Sequence, residues 1–283
     1  MPDSQYAQSQ GMQLLNRLVE ELGPLFTIEQ AQAAGAQLLL PPQRIRSLMS
    51  RLAAAGWIER IKQGAYAARS PLFGVTIHPY AVAAMLVDPL AISHWSALAH
   101  HGLTSQIPPM VQVSTPATVV TPEMRHGAAY RPRGRAVWRA LDLEFEFIQV
   151  KPQRFFGFQD VWVSQWHRVA LTDPERTVLD LFAAPQLFGS LQTGLETLEL
   201  HLERLDLDKL VGYAVRYGVG AVAKRLGWAL EALGVPERVV EPLRAYPVRA
   251  YSQLDPTRSD GGEPIARWHL RNNLQRGGLN ADG

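Results

Sequence analysis

The stretch from Pro41 to Tyr66 constrains the fold more than any other part of the chain. Pro41-Pro42 suits the first turn of a helix, where a fixed φ and a missing N–H are tolerated. Behind it Ile45, Leu48, Met49 and Leu52 recur at i, i+3, i+4 and i+7, the apolar stripe of an amphipathic helix reaching about Ala55. Gly56 closes that helix. Trp57-Ile58-Glu59-Arg60-Ile61-Lys62-Gln63-Gly64-Ala65-Tyr66 then alternates and turns near Gln63-Gly64, the pattern of a hairpin.

Two more helices are expected upstream. Met12, Leu15, Leu18, Val19 and Leu22 share helical spacing and stop at Gly23-Pro24. Thr27 with Gln30 three residues on is a capping box, opening a helix that reaches Ala34-Gly35. Three helices followed by a hairpin is the order of a winged helix-turn-helix, whose third helix enters the major groove of DNA. On that helix Gln43, Ser47 and Ser50 face away from the apolar stripe, and Arg44, Arg46 and Arg51 border them. These six residues are the candidate groove contacts. Arg60 and Lys62 on the hairpin are candidate phosphate contacts, which position a protein without reading sequence.

The charge distribution follows the same division. Up to residue 40, Arg17 stands against Asp3, Glu20, Glu21 and Glu29; from 41 to 70, Arg44, Arg46, Arg51, Arg60, Lys62 and Arg69 stand against Glu59 alone. The whole chain is only +2, so the total says little. Of 28 basic residues four are lysine and the rest arginine. The planar, permanently charged arginine fork suits phosphates and base edges, although codon usage in a GC-rich genome gives the same bias.

Residues 1–70 are therefore expected to form a DNA-binding domain, and residues 71–283 a larger mixed domain, with 255–283 as an extended tail. The fold class is α+β. Past Pro71, helices are expected over Pro79–Val87, over His94–His101 capped by Ser93, and from Asp173-Pro174 to Ala184, with mostly helix from Ser190 to Leu233. Strands are expected at Val111–Thr115, Leu143–Phe147 with one buried face, Val161–Val163 and Val169–Leu171. Arg125, Arg131, Arg133, Arg135 and Arg139 lie in an acid-free stretch broken by Pro132 and Gly134. They form a candidate second basic surface for DNA phosphate or an acidic partner, or else a solvated loop.

Three further stretches carry a family likeness. Ser93-His94-Trp95-Ser96-Ala97-Leu98-Ala99-His100-His101-Gly102-Leu103-Thr104, then Asp173-Pro174-Glu175-Arg176-Thr177-Val178-Leu179-Asp180, then Lys224-Arg225-Leu226-Gly227 with Leu230-Glu231, resemble in order the signatures of the AbiEi antitoxins of type IV toxin–antitoxin (abortive infection) systems. Trp268 and Asn272 fall in a segment similar to that family's C-terminal end. The resemblance implies a transcriptional repressor of its own operon, binding inverted repeats upstream of its gene. It also implies a neighbouring nucleotidyltransferase toxin, not held in a stable complex, whose effect the C-terminal domain counters. Members that act as lone regulators leave open a stand-alone role without a toxin. Ser93, His94, Ser96, Asp173, Arg176 and Asp180 are the motif residues; the family supplies no catalytic role or cofactor for them.

Read as chemistry alone, the same residues point to structure. Arg176 and Asp180 are spaced for an i, i+4 ion pair, and His94 for a packed or hydrogen-bonded ring. Gly189-Ser190 with Asp206 and Asp208 imitates a nucleotidyltransferase site, but the aspartates precede Leu210, Val211 and Ala214 as helix caps do. No lysine follows an acid by two residues, as a D/E-x-K nuclease requires, and the histidines near Ser96 lack matching carboxylates. The expectation is a non-enzyme without metal or cofactor; a pure protein-interaction module is the other class left open. There is no cysteine, no apolar run long enough to span a bilayer, and no basic and apolar leader at Met1-Pro2-Asp3-Ser4-Gln5, so a cytoplasmic location is expected.

Overall fold

A computed structural model describes residues 9–69, 73–74, 76–125, 127 and 135–274. In chain order it contains α1 (Gln10–Leu22), β1 (Leu25–Thr27), α2 (Ile28–Gln37), α3 (Pro42–Ala54), β2 (Ile58–Lys62), β3 (Ala65–Ala68), α4 (Pro79–Leu86), β4 (Ala91–Ile92) and α5 (His94–His100). Next come β5 (Val111–Thr115), α6 (Pro122–Arg125), β6 (Ala136–Ala140), β7 (Leu143–Gln149), β8 (Phe158–Trp162) and β9 (Arg168–Thr172). The chain continues through α7 (Pro174–Ala183), α8 (Leu191–His201), α9 (Leu207–Tyr217), α10 (Gly220–Ala232), α11 (Glu237–Arg244), β10 (Ser252–Gln253), β11 (Glu263–Ile265) and β12 (Leu270–Asn272). The fold is mixed α and β. No helix among the described residues is long and apolar enough to cross a membrane.

Contacts divide the chain into two compact units of three segments each: up to Leu90, Pro109–Gln149 and Asp160–Ala170 in the first; Ala91–Pro108, Val150–Gln159 and Leu171 onward in the second. The division does not follow the expected boundary near residue 70. Helix α4 packs on β1, β2 and β5. Lys62 Nζ donates to the Leu86 carbonyl at 3.1 Å, and Arg69 reaches Asp142 at 3.1 Å. These ties fold the segment after residue 70 back onto the hairpin.

In the first unit the expected punctuation governs the helices. Ser9 caps α1 by accepting from the Met12 N–H at 3.2 Å, and Gly23 ends it at φ 83°. The Thr27 capping box is complete: Gln30 N–H donates to Thr27 Oγ1 at 3.2 Å and Thr27 N–H to Gln30 Oε1 at 2.7 Å. Helix α2 runs past Gly35 to Gln37, because Gly35 is a site of close approach rather than a stop: a Cβ there would lie 2.5 Å from Ile45 Cδ1. Strand β1 went unread, since three residues carry no alternation to detect. It pairs antiparallel with β3, which pairs antiparallel with β2, giving the order β1-β3-β2. Leu14, Leu15, Leu18, Phe26, Ile45, Met49 and Ile58 form the core between helices and sheet.

Also in this unit, β7 lies parallel to β5 and antiparallel to β6. Its expected single buried face is corrected: Phe145, Glu146, Phe147 and Ile148 are all buried. Glu146 is only 3% exposed because it is satisfied, accepting from Arg135 Nε and Gln112 Nε2, each at 2.7 Å.

The second unit is built around α7. Asp173 caps it, with Pro174 in the first turn, and every residue from Glu175 to Phe182 is buried. Helices α5, α8, α9 and α10 pack on α7, and Ile92 of β4 pairs in parallel with Leu171 of β9. Of the expected tail, the stretch 255–274 carries regular structure. Strand β12 runs between β10 and β11. Trp268 is fully buried, and its Nε1 donates to Glu231 Oε2 at 2.5 Å. Gly227 leaves the room that the indole fills. Residues 275–283 lie outside the described part.

Candidate nucleic-acid interface

The core side of α3 is Ile45, Leu48, Met49 and Leu52, all buried; Gln43, Arg44, Arg46, Ser50 and Arg51 are exposed and Ser47 is half-exposed. This polar face has no acid. The first turn holds none, and the N-cap is Pro41, which makes no side-chain cap bond. Among the described residues no carboxylate pairs with Arg44, Arg46, Arg51 or Arg60. Arg44 leans on the neutral Gln10 amide, with Nη2 at 3.1 Å from Oε1. By contrast Arg17 pairs with Glu21 at 2.8 Å, and Arg69 with Glu59 at 2.8 Å. The positive charge left uncompensated therefore concentrates on α3 and the start of the hairpin.

The two hairpin cations differ. Arg60 is exposed and its Nε donates to the Lys62 carbonyl at 3.4 Å. Lys62 is half-buried and directed at the last carbonyl of α4, so it is held by the fold rather than presented. Arg44 and Arg51 also flank a groove of about 500 Å³ floored by Leu48, Leu52 and Trp57. One exposed residue beside this face escaped the sequence reading: Leu39, 92% exposed, in the turn before α3.

Of the candidate second basic surface, the described arginines on β6 and just before it are paired with carboxylates. Arg135 is turned onto buried Glu146, and Arg139 pairs with Glu144 at 2.9 Å. Arg125 is exposed at the end of α6, while Arg131 and Arg133 lie outside the described residues.

The motif residues gather in the second unit as structure. Ser93 stands at the N-cap of α5, as expected, but makes no side-chain cap bond; its Oγ lies 2.8 Å from His94 Nδ1. His94 is buried at φ 54° with its ring stacked on Phe188, a strained backbone that surrounding contacts must hold. Ser96 is buried on the same helix. Arg176 is fully buried. Its Nε and Nη2 meet Asp180 Oδ1 at 3.1 and 2.9 Å, and its Nη1 donates to the Arg154 and Phe156 carbonyls at 2.7 and 2.9 Å. The expected i, i+4 ion pair is formed, and it is part of a buried clasp.

Around it Asp173 accepts from Tyr213 at 2.8 Å, and Lys209 Nζ contacts Glu175 at 2.8 Å and Asp173 at 3.1 Å. Burial works to lower the Lys209 pKa, but hydrogen bonds and charge from Glu175 and Asp173 outweigh it and raise the pKa well above the ordinary lysine range. Ser190 and Asp206 cap α8 and α9, accepting from Gln192 N–H at 3.2 Å and Lys209 N–H at 3.0 Å. That is the helix-cap role expected of Asp206.

No family model matches the chain, and no curated protein matches it. A solved structure does. The RV2827C protein from Mycobacterium tuberculosis, seen in a crystal structure, is 17% identical with a TM-score of 0.54, over 91% of this chain and 90% of that one. At that identity the likeness extends to the fold alone.

Proposed function

We propose that this chain is a DNA-binding transcriptional autorepressor with an N-terminal winged helix and no catalytic centre of its own. The observation that carries the reading is the acid-free exposed face of α3, with Gln43, Ser47 and Ser50 edged by unpaired Arg46 and Arg51. Its setting supports the same reading. The order α1-β1-α2-α3-β2-β3 and the antiparallel sheet β1-β3-β2 match what a winged helix needs to hold its third helix outward and its hairpin beside it. Gln and Arg side chains at that position bond adenine and guanine edges in the major groove.

The antitoxin role rests on the resemblance of the three motifs to AbiEi antitoxins, with a nucleotidyltransferase toxin as the counterpart. In this reading the Arg176 clasp and buried Trp268 serve to hold the second unit together.

Fluorescence anisotropy with DNA from just upstream of the chain's own gene tests the regulator. Binding should weaken steeply as salt rises, because each neutralised phosphate releases counterions. Equal, salt-insensitive affinity for that DNA and for random DNA would contradict it. Growth rescue on co-expression with the neighbouring reading frame tests the antitoxin role separately.

A further inference from the structure

Leu39 combines full exposure with an unusual backbone conformation. It lies 92% exposed, so its side chain gains nothing by burial within the chain. Its φ of 57° is the left-handed region, where glycine or asparagine is at ease and leucine is strained. The turn does not need leucine to hold. Its bonds are backbone ones, Leu38 N–H and Leu40 N–H to the Gly35 carbonyl and Leu39 N–H to the Ala36 carbonyl, all at 3.0 Å. Leu38, half-buried, and Leu40, buried, already anchor it to the core. Where a local rule is broken without internal gain, the compensation is sought outside the fold.

The neighbours indicate what lies outside. Leu39, Pro41 and Pro42 are all exposed at the leading end of α3, immediately before Gln43 and Arg44. The prolines have no N–H, so this edge is apolar and poor in donors. In the major groove the distinctive apolar group is the C5-methyl of thymine.

We infer that Leu39 reads a thymine methyl beside the bases contacted by α3. This rests on the DNA-binding reading and adds a specificity residue to it, an apolar one that charge and polarity searches pass over.

The test uses the full chain and the upstream DNA, with thymines replaced one at a time by deoxyuridine. Wild type should lose roughly fourfold in affinity at one thymine in each half-site, the equivalent of a single buried methyl. Leu39→Gly should fold as stably as wild type or more so, since glycine relieves the turn, yet bind the thymine DNA several-fold more weakly and be indifferent to deoxyuridine. Leu39→Asn, also suited to this φ, should behave alike. The inference is overturned if Leu39→Gly binds as wild type does, or if deoxyuridine costs both proteins equally. A change of sedimentation with unchanged deoxyuridine sensitivity would assign Leu39 to contact between copies and likewise overturn it. If wild type binds no DNA at all, the parent reading falls too, and that outcome is distinct from the others.

Discussion

The side chain of Ile45 occupies the space that a side chain on Gly35 would need: a Cβ at residue 35 would stand 2.5 Å from Ile45 Cδ1 and 2.8 Å from Cγ1. Ile45 is fully buried and β-branched, so it has few ways to yield. This contact sets how closely α2 and α3 approach, and hence how α3 is presented. Gly35→Ala should therefore destabilise the first unit by about 1–3 kcal/mol through overpacking. Thermal unfolding by circular dichroism measures it; an unchanged or raised midpoint would mean that α3 is set by something else.

Arg176 offers the larger effect. Arg176→Met removes the cation and leaves Asp180 buried without its partner, a loss of about 3–5 kcal/mol in urea unfolding. The double change Arg176→Met with Asp180→Leu should recover much of that loss, because both buried charges are then gone. A double variant as unstable as the single one would show that the carbonyl contacts to residues 154 and 156, not the ion pair, carry the clasp.

Half-buried histidines make stability depend on acidity. Burial lowers the pKa of His101 and of His167 below the ordinary 6.5. His101 Nε2 donates to the Thr172 carbonyl at 2.7 Å, which assigns the neutral ring its proton. The unfolded chain then binds more protons than the folded one just below pH 6.5, so stability rises with pH in that window. Their contribution is complete above about pH 6.5 and is lost as pH falls towards the lowered folded values. Urea midpoints should drop between pH 7 and pH 5 in wild type, and less in His101→Gln. A flat profile would contradict the assignment.

Specificity and affinity should separate along the DNA face. Arg46→Ala and Arg51→Ala should each cut the preference for the upstream DNA over random DNA, by about 1–3 kcal/mol where the arginine grips a guanine. Arg60→Ala should weaken both DNAs alike, as a phosphate contact does. Equal losses on both DNAs for all three variants would contradict these roles.

The sequence made the first unit's helices legible because their signals are local: the Thr27 capping box, the stop at Gly23 and the stripe from Ile45 to Leu52 each lie within one or two turns. What it concealed depends on distant partners. Glu146 looked solvent-facing by alternation and is buried because Arg135 and Gln112 reach it. Lys62 looked like a surface cation and is engaged by a carbonyl more than twenty positions on. The residues around Trp268 looked like a tail, and a single indole packed against Gly227 fixes them. Leu39 was passed over because an exposed leucine attracts no notice until its φ is known.

In the proposed reading the exposed face of α3 lies in the major groove. Methylation interference at guanine N7, which sits in that groove, tests it most directly on the DNA upstream of the gene. Wild type should show blocked guanines in two half-sites about one helical turn apart, with one guanine per half-site losing its effect in Arg46→Ala or Arg51→Ala. Binding that tolerates methylation of every guanine N7, with both variants indistinguishable from wild type, would place α3 outside the groove.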